Sequence, residues 1–317
     1  MARLPSLPII DMAAYRAGDP EARAAVVAEI AAKSRALGFF YLTHHGLPDA
    51  LLAGQLAWAK QFFALPTPDK VALDFRKPAV RRGYEPFALQ TLQAGAQPDQ
   101  KEAFSFGSEA SDGEPSPFEG PNQWPADRPG FDGAGFRAQM EAYQAAMIGL
   151  GREICGLIAA SLGLPDDYFA AALAAPSADV RLLHYPPREA DQGAGLLGAG
   201  AHTDWGLITL LLQDDCGGLE IETPAGWLKA DPIPGAFIVN LGDMVVRLTA
   251  GRYASNVHRV LNTASGRDRY SVATFFNPSA HHVVACAPTC RPERGVPPEP
   301  ITFADHIHDM VRRTYAA

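Results

Sequence analysis

Apolar and polar residues alternate along this chain with two different periods, and the change between them divides the sequence. Between residues 136 and 162, apolar residues recur every three or four positions, which is typical of a long amphipathic helix. After Val180, short apolar runs are separated by glycines, prolines and aspartates as far as Val284, which is typical of a closed or double-sheet β structure. The pattern predicts an α+β protein with a mainly β core.

Shorter elements are predicted near both ends of the chain. Asp19 before Pro20 favours a helix start, because the aspartate accepts free backbone N–H groups and proline has none to satisfy. Thr302 with Asp305 resembles a capping box that starts an amphipathic terminal helix. The remaining predictions are strands at 7–10 and 39–43, and helices at 19–38, at 47–64 and from Thr67 onward.

The chain is predicted to be a single domain over residues 1–317. Within it, residues 1–110 are expected to form an amino-terminal region packed on the core. Residues 178–286 are expected to form the β core, which carries the candidate functional residues described below. Residues 107–135 are rich in glycine, proline, aspartate and serine, which predicts a long loop that could serve as a lid.

Composition excludes several classes of protein. The chain has 317 residues, 47% of them hydrophobic and 20% charged, as expected of a globular protein with a sizeable core. A formal net charge of −8 without a basic cluster argues against nucleic-acid binding. Its four cysteines suggest no disulfide framework and no leader is evident, so we expect the reducing cytoplasm. No apolar run approaches the ~18 residues that cross a bilayer, and the oligomeric state is left open.

His202 and Asp204 are separated by one residue, directly before an apolar run (LITLLL, 207–212) that reads as a buried strand. In an extended strand, residues two apart face the same side, so both could bind one ion while Thr203 points away. A distant strand could bring in His258. Two neutral imidazoles and one carboxylate leave half an octahedron open, which is the ligand set of non-haem iron(II) oxygenases.

Arg269 and Ser271 begin a second apolar run, and a period of two puts them on one face. A guanidinium presents a planar fork that fits a carboxylate at two points, so this pair could hold a carboxylate near the metal. The alternative is that Arg269 lies on the surface, paired with Asp268 or Asp243. A surface pair is worth little, so its removal would then have almost no effect.

These motifs resemble the isopenicillin N synthase-like family of iron(II)/2-oxoglutarate-dependent dioxygenases. The matching segments are HTDWG (202–206), NLGD (240–243), SNVHRV (255–260) and RYS (269–271), with LPIIDM (7–12), GFFYLTHHG (38–46) and FFALPTPDK (62–70) nearer the amino terminus. The resemblance covers nearly the whole chain. It implies a double-stranded β-helix, or jelly roll, with an amino-terminal α/β region and flanking helices.

The resemblance also implies cofactors and roles. The implied iron(II) ligands are His202, Asp204 and His258. The implied contacts to 2-oxoglutarate are Arg269 and Ser271 at its far carboxylate, and Tyr185 in the segment LHYPP (183–187). The implied reaction uses O2, decarboxylates 2-oxoglutarate to succinate and CO2, and oxidises a small molecule, most often by hydroxylation.

Three alternatives stay open at this point. An oxidase of the same scaffold could use no 2-oxoglutarate, because an Arg-x-Ser pair can also bind the carboxylate of a substrate. An ethylene-forming type of enzyme is a variant of the first reaction. A noncatalytic β-barrel module could hold a metal without turnover.

Two further motifs predict less than they suggest. The segment GAGLLG (193–198) matches a dinucleotide fingerprint, but no predicted helix follows it, so we interpret it as a loop beside the metal. Cys286 and Cys290 near His281 and His282 lack the second ligand pair of a zinc finger, so buried or incidental thiols are the better interpretation.

Some residues outside the motifs also have an expected location or role. Substrate walls are expected from the loops at 80–100 and 107–135. Aromatic side chains in predicted strands are further candidates for these walls, although aromatic residues in strands more often belong to the core: Tyr84, Phe104, Phe106 and Phe276. His306 and His308, on the terminal helix, are expected to be exposed, while His44 and His45 are expected to have packing roles.

Overall fold

The computed structural model describes residues 6–78, 80–93, 95–109, 117–187, 196–262, 266–292 and 295–315. The helices in these segments are α1 Ala13–Arg16, α2 Pro20–Ala36, α3 Asp49–Phe63, α4 Thr67–Val71, α5 Gly133–Ser161, α6 Asp243–Leu248 and α7 Phe303–Tyr315. The strands are β1 Ile9–Asp11, β2 Phe39–Thr43, β3 Gly83–Glu85, β4 Glu102–Phe106, β5 Ser177–Tyr185, β6 Leu197–His202, β7 Ile208–Gln213, β8 Leu219–Thr223, β9 Gly226–Lys229, β10 Phe237–Leu241, β11 His258–Leu261, β12 Arg269–Asn277, β13 Val283–Val284 and β14 Ile301–Thr302.

Strands β5 to β12 divide between two sheets, as in a jelly roll. The larger sheet has eight strands in the order β1-β2-β10-β7-β12-β5-β4-β3, and the smaller has four in the order β6-β11-β8-β9. Successive strands therefore cross repeatedly from one sheet to the other, and neighbours within the core pair antiparallel. This confirms the predicted double-stranded β-helix.

The amino-terminal strands extend the larger sheet at both edges. At one edge β2 pairs antiparallel with β10, and β1 follows it in parallel. At the other edge β4 pairs antiparallel with β5, and β3 lies outermost. The boundary of the amino-terminal region at residue 110 and those of the β core at residues 178 and 286 stay predictions.

Each strand of the larger sheet buries its two faces differently. In β7, Ile208, Leu210 and Leu212 belong to the core under the helices, whereas Thr209 and Leu211 face the space between the sheets. Such alternation follows from the period of two in a strand. The long helix α5 packs on the outer face of the sheet through one buried side, so the space between the sheets is left for a site.

The predicted helix starts agree with the structure. The side chain of Asp19 accepts hydrogen bonds from the amides of Glu21 and Ala22 at the start of α2. The hydroxyl of Thr302 accepts the amide of Asp305 at 3.1 Å at the start of α7. Across the described segments, no helix combines the length and the apolar character needed to span a membrane.

Candidate active site

Three potential metal ligands meet at the mouth between the sheets. His202 ends β6 and His258 begins β11, and these two residues are direct partners in the antiparallel register of the smaller sheet. Asp204 follows two residues after His202. Its Oδ1 lies 3.9 Å from Nε2 of His202 and 3.8 Å from Nε2 of His258. One ligand atom from each residue therefore lies within 4.8 Å of the others.

Hydrogen bonds to the backbone orient both imidazoles. Nδ1 of His202 lies 2.7 Å from the carbonyl of Gly200, and Nδ1 of His258 lies 3.3 Å from that of Asn256. A carbonyl only accepts, so Nδ1 carries the proton and the lone pair of Nε2 faces the third ligand. The edge of Phe39 packs on the His258 ring, with ring centroids 5.3 Å apart.

Asp204 is held through one oxygen, which leaves the other available. Its Oδ2 accepts hydrogen bonds from the Thr209 hydroxyl at 2.5 Å and from the Asn240 amide at 2.7 Å. Burial alone would raise the pKa of Asp204, but His258, His202 and these two hydrogen bonds outweigh it and lower the pKa. The carboxylate is therefore ionised with Oδ1 free to bind a cation.

The histidine beside it is neutral. Burial, reinforced by the neighbouring His258, lowers the pKa of His202 to about 3. A metal needs the unprotonated ring nitrogen, so this site requires no deprotonation of His202 at neutral pH. Two imidazole nitrogens and one carboxylate oxygen would occupy one face of the iron(II) coordination sphere. The opposite face would be open to the cavity.

Two glycines of the sequence motifs allow this close packing. A Cβ on Gly206 would lie 2.0 Å from Oδ1 of Asn277, and one on Gly242 would lie 2.2 Å from the carbonyl of Gly206. The same Asn277 oxygen accepts the amide of Leu207 at 2.8 Å. Side chains at either glycine would push the turn after Asp204 away from β10 and β12.

Arg269 lies buried inside the jelly roll and is 3% exposed. Its guanidinium donates to the carbonyl of Gly217, to Ser271 Oγ at 3.2 Å and to Gln213 Oε1 at 3.3 Å. Among the described residues, no carboxylate lies within ion-pair distance of it. A buried charge without a counter-charge is costly, so the site is complementary to an anionic ligand.

Ser271 and Tyr185 lie beside this arginine. Tyr185 is the direct partner of Arg269 in the register of β5 and β12, and its ring lies 4.7 Å from the guanidinium carbon. Burial raises the pKa of Tyr185, so its hydroxyl remains a neutral hydrogen-bonding group. The structure thus brings together all six of the residues selected from the sequence around one cavity.

That cavity has a volume of about 500 Å³. The predicted loops contribute to its walls through Gln90, Leu92 and Phe118. Helix α7 contributes three further side chains, Phe303, Ile307 and Met310. The sequence shows these three as the apolar stripe of a helix, but the stripe does not indicate what it covers.

His306 is buried rather than exposed, so that prediction was wrong. It is 7% exposed, and its Nε2 donates to the carbonyl of Trp205 at 2.8 Å. Trp205 belongs to the turn after Asp204 and also lines the cavity. The polar side of α7 is thereby joined to the turn that carries the carboxylate.

The four aromatic residues that were candidates for the cavity walls do not line the cavity, and the alternative, a core position, applies to all of them. Tyr84, Phe104, Phe106 and Phe276 all belong to the core between the larger sheet and the helices. Phe275 lines the cavity instead of Phe276. The period of two puts Phe275 on the same face of the strand as Arg269 and Ser271, and Phe276 on the opposite face.

The described parts of the glycine segment and of the segment with Cys286 and Cys290 form no comparable site. Residues 193–195 of the glycine segment lie outside the described residues, and Leu197 begins strand β6 rather than a helix. Sγ of Cys286 donates to the carbonyl of Cys290 at 3.0 Å. Within the described residues, neither cysteine belongs to a group of three potential metal ligands.

Two family models match the chain. One, described as the amino-terminal part of a non-haem dioxygenase in morphine synthesis, matches residues 7–127. The other, the 2OG-Fe(II) oxygenase superfamily, matches residues 176–278. The second range contains the three potential metal ligands together with Tyr185, Arg269 and Ser271.

Relatives and solved structures agree with these matches. The 2-oxoglutarate-Fe(II) type oxidoreductase hxnY of Emericella nidulans is 38% identical over 97% of this chain and 90% of its own. The 2-oxoglutarate-dependent dioxygenase citB of Monascus ruber is 40% identical over 86% of this chain and 84% of its own. A full-length Neurospora crassa protein, crystallised in complex with alpha-KG, superposes with a TM-score of 0.87 at 29% identity, covering 98% of this chain and 96% of the other.

Fold and site together define an iron(II)-dependent oxygenase of the jelly-roll type. The chain belongs to the 2OG-Fe(II) oxygenase superfamily, as the sequence motifs predicted. Its activity is that of a 2-oxoglutarate-dependent dioxygenase, with iron(II), 2-oxoglutarate and O2 as the reactive partners.

Proposed function

We infer that this protein hydroxylates a small organic molecule in the cavity between its sheets. In this proposal His202, Asp204 and His258 bind iron(II), while Arg269 and Ser271 hold the distal carboxylate of 2-oxoglutarate beside Tyr185. The observation that carries the proposal is the buried guanidinium without a carboxylate partner among the described residues, in the same cavity as the three ligands.

The charges in the cavity support this assignment. Iron(II) with Asp204 carries a net charge of +1, and the dianion of 2-oxoglutarate would bring the site to −1. Arg269 restores neutrality, which matters because uncompensated charge is expensive in a buried site. A histidine binds a metal through its uncharged ring, so His202 and His258 would contribute ligand atoms without altering this balance.

Each residue has a task that its contacts support. Bound iron(II), with 2-oxoglutarate and oxygen, supplies oxidising power toward C–H bonds that no amino-acid side chain can attack. Thr209 and Asn240 keep Oδ1 of Asp204 directed at the centre. The apolar side chains of α7 cover the cavity and exclude water, which protects the reaction from unproductive oxidation.

The size of the cavity favours a small substrate. About 500 Å³ is within the usual range for small-molecule sites, and 2-oxoglutarate takes part of it. The same Neurospora crassa protein has been crystallised with alpha-KG and thymine. A ring compound of that order of size would fit the space that remains here.

Arg269→Leu tests the assignment of the co-substrate site. Loss of a buried charged partner costs about 2–5 kcal/mol, so affinity for 2-oxoglutarate should fall roughly 30-fold to a few thousand-fold. Iron(II) affinity should change little. Both affinities can be titrated anaerobically, and succinate release with O2 can be followed in parallel.

Arg267→Leu is the matched control, because Arg267 is an exposed arginine two residues earlier that pairs with Asp215. It should leave 2-oxoglutarate binding unchanged. Equal 2-oxoglutarate affinity in the Arg269 variant and the wild type would remove Arg269 from the proposed site. Oxygen uptake that does not require 2-oxoglutarate would contradict the proposed reaction.

A further inference from the structure

Beyond the co-substrate residues, strand β5 presents a second arginine to the cavity. Arg181 lies four residues before Tyr185 on the same face of the strand, which corresponds to roughly 13 Å along it. Its partner in β12 is Ala273, whose small side chain leaves space beside the guanidinium. This position is separated from the Arg269 and Ser271 pair.

Part of the Arg181 guanidinium is already used by the protein. Nη2 donates to Oε1 of Glu85 at 2.7 Å and to Oε1 of Gln90 at 3.2 Å. Nε is buried and forms no hydrogen bond. Nη1 is accessible, and it forms no hydrogen bond to any residue that the structure describes. It is therefore a donor available to a ligand.

Gln90 provides a second available donor. A guanidinium only donates, so the oxygen of the Gln90 amide must face Arg181 and its nitrogen must face away. That nitrogen has no partner in the described part of the chain. The carbonyl of Gln90 accepts the amide of Asp99 at 2.8 Å, which anchors the residue at the cavity wall.

The charged side chains on this wall are paired within the protein. Arg181 pairs with Glu85, and both are largely buried. Lys101, which also lines the cavity, pairs with Asp99, and these two side chains are 3% and 2% exposed. An anionic substrate group would therefore enter without a counter-charge, which is unfavourable in a buried site.

The rest of this space is apolar. Leu92, Leu211 and Phe275 are partly buried in the interior cluster and line the cavity. Ile307 and Met310 line it from helix α7. The substrate body should accordingly be apolar, with its polar atoms at the end that reaches the donors.

We propose that Arg181 and Gln90 recognise an uncharged hydrogen-bond acceptor on the organic substrate, a carbonyl oxygen or ring oxo group attached to an otherwise apolar, ring-sized body. This inference rests on the proposed function and specifies its substrate class. It makes Arg181 a specificity residue that acts separately from the binding of 2-oxoglutarate.

The test measures binding of defined probes to the protein loaded anaerobically with iron(II) and 2-oxoglutarate, by calorimetry. The uncharged probes are uracil, thymine and 2-quinolone. The matched carboxylates are orotate, which is uracil with a carboxylate, and 2-quinolone-4-carboxylate, which is 2-quinolone with a carboxylate. We expect at least one uncharged probe to bind, with uracil and thymine compared with orotate and 2-quinolone compared with its own carboxylate, and to bind more tightly than that carboxylate.

Variants then separate the two sites. The double variant Arg181→Met/Glu85→Gln removes the donor while keeping the wall neutral, and should weaken the bound probe about tenfold or more. Gln90→Leu should weaken it about fivefold. Gln97→Leu is the matched control, because Gln97 is exposed in the same loop and lies outside the cavity lining. Affinity for 2-oxoglutarate should be unchanged in all three.

Three results would overturn the inference while leaving the proposed function intact, provided that 2-oxoglutarate binds normally. They are tighter binding of the carboxylates, no binding of any uncharged probe, or equal probe affinity in the Arg181/Glu85 variant and the wild type. Failure of 2-oxoglutarate to bind the wild type would instead overturn the proposed function, and this inference with it.

Discussion

At the scale of single residues, the site depends on the groups that orient the three ligands. Asp204 could direct either oxygen at a cation, but Thr209 and Asn240 both donate to Oδ2. The carbonyls of Gly200 and Asn256 accept hydrogen bonds from the two histidine rings and so fix their orientation. Loss of one such supporting contact typically costs a factor of about 10–100 in metal affinity.

Thr209→Val should therefore weaken iron(II) binding by about tenfold, toward the lower end of that range because Asn240 remains. The change removes a hydroxyl and keeps the shape of the side chain. Anaerobic metal titration measures it, with far-UV circular dichroism to establish that the fold is retained.

Thr203→Val is the control for this experiment. Thr203 lies between two of the ligands, but its hydroxyl donates to Asp243 at 2.9 Å rather than to Asp204. Iron(II) affinity should be unaffected by this change. Equal losses in the two variants would mean that the hydrogen bond to Asp204 has no special role.

At the scale of elements, strand β12 separates the site from the core by alternation. Arg269, Ser271, Ala273 and Phe275 face the cavity, whereas Val272 and Phe276 face the helices. Helix α5 approaches so closely that a Cβ on Gly151 would lie 2.7 Å from the Phe276 ring. Neighbouring residues of one strand thus have unrelated roles.

Two alanine substitutions test this separation. Phe276→Ala should lower the free energy of unfolding by about 3–5 kcal/mol, because the ring is fully buried under α5. Phe275→Ala should cost clearly less stability and instead weaken binding of the organic substrate. Urea denaturation gives the free energy of unfolding. The KM for the organic substrate is measured by following succinate release. A larger stability loss for Phe275 would contradict the assigned faces.

Helix α7 joins the site through His306, whose pKa is lowered mainly by burial. The unfolded chain therefore binds a proton at this histidine at a higher pH than the folded one. Above about pH 6.5, His306 is uncharged in both states and its titration does not affect the free energy of unfolding. Below that pH, protonation of His306 in the unfolded chain reduces the free energy of unfolding. The unfolding free energy of His306→Gln should thus fall less steeply below pH 6.5 than that of the wild type.

His308→Gln is the matched control, because His308 is exposed on the same helix. Its unfolding free energy should follow that of the wild type across the same range. Identical pH dependence for His306→Gln and the wild type would show that the buried histidine is not the cause.

At the scale of the whole molecule, much of the fold could be predicted from local patterns. Strand β2 and the start of α2 follow from apolar runs and from the Asp19 cap, and short strands punctuated by turns indicate a double-sheet β structure. The pairing of β6 with β11, which joins His202 to His258, is a long-range contact. Spacing alone does not specify it, although the family resemblance implies it.

What could not be predicted depends on tertiary register and packing. The surface covered by the stripe on α7 follows from how whole sheets and helices meet. The pairing of Arg181 with Glu85 is of the same kind, since these residues lie on β5 and β3 at one edge of the larger sheet. Local sequence carries no signal for such contacts.

A crystal structure of the protein prepared anaerobically with iron(II) and 2-oxoglutarate tests the central claim most directly. It should show iron bound by Nε2 of His202, Nε2 of His258 and Oδ1 of Asp204. The distal carboxylate of 2-oxoglutarate should lie on Arg269 and Ser271. Iron held by other residues, or 2-oxoglutarate bound away from Arg269, would contradict the account.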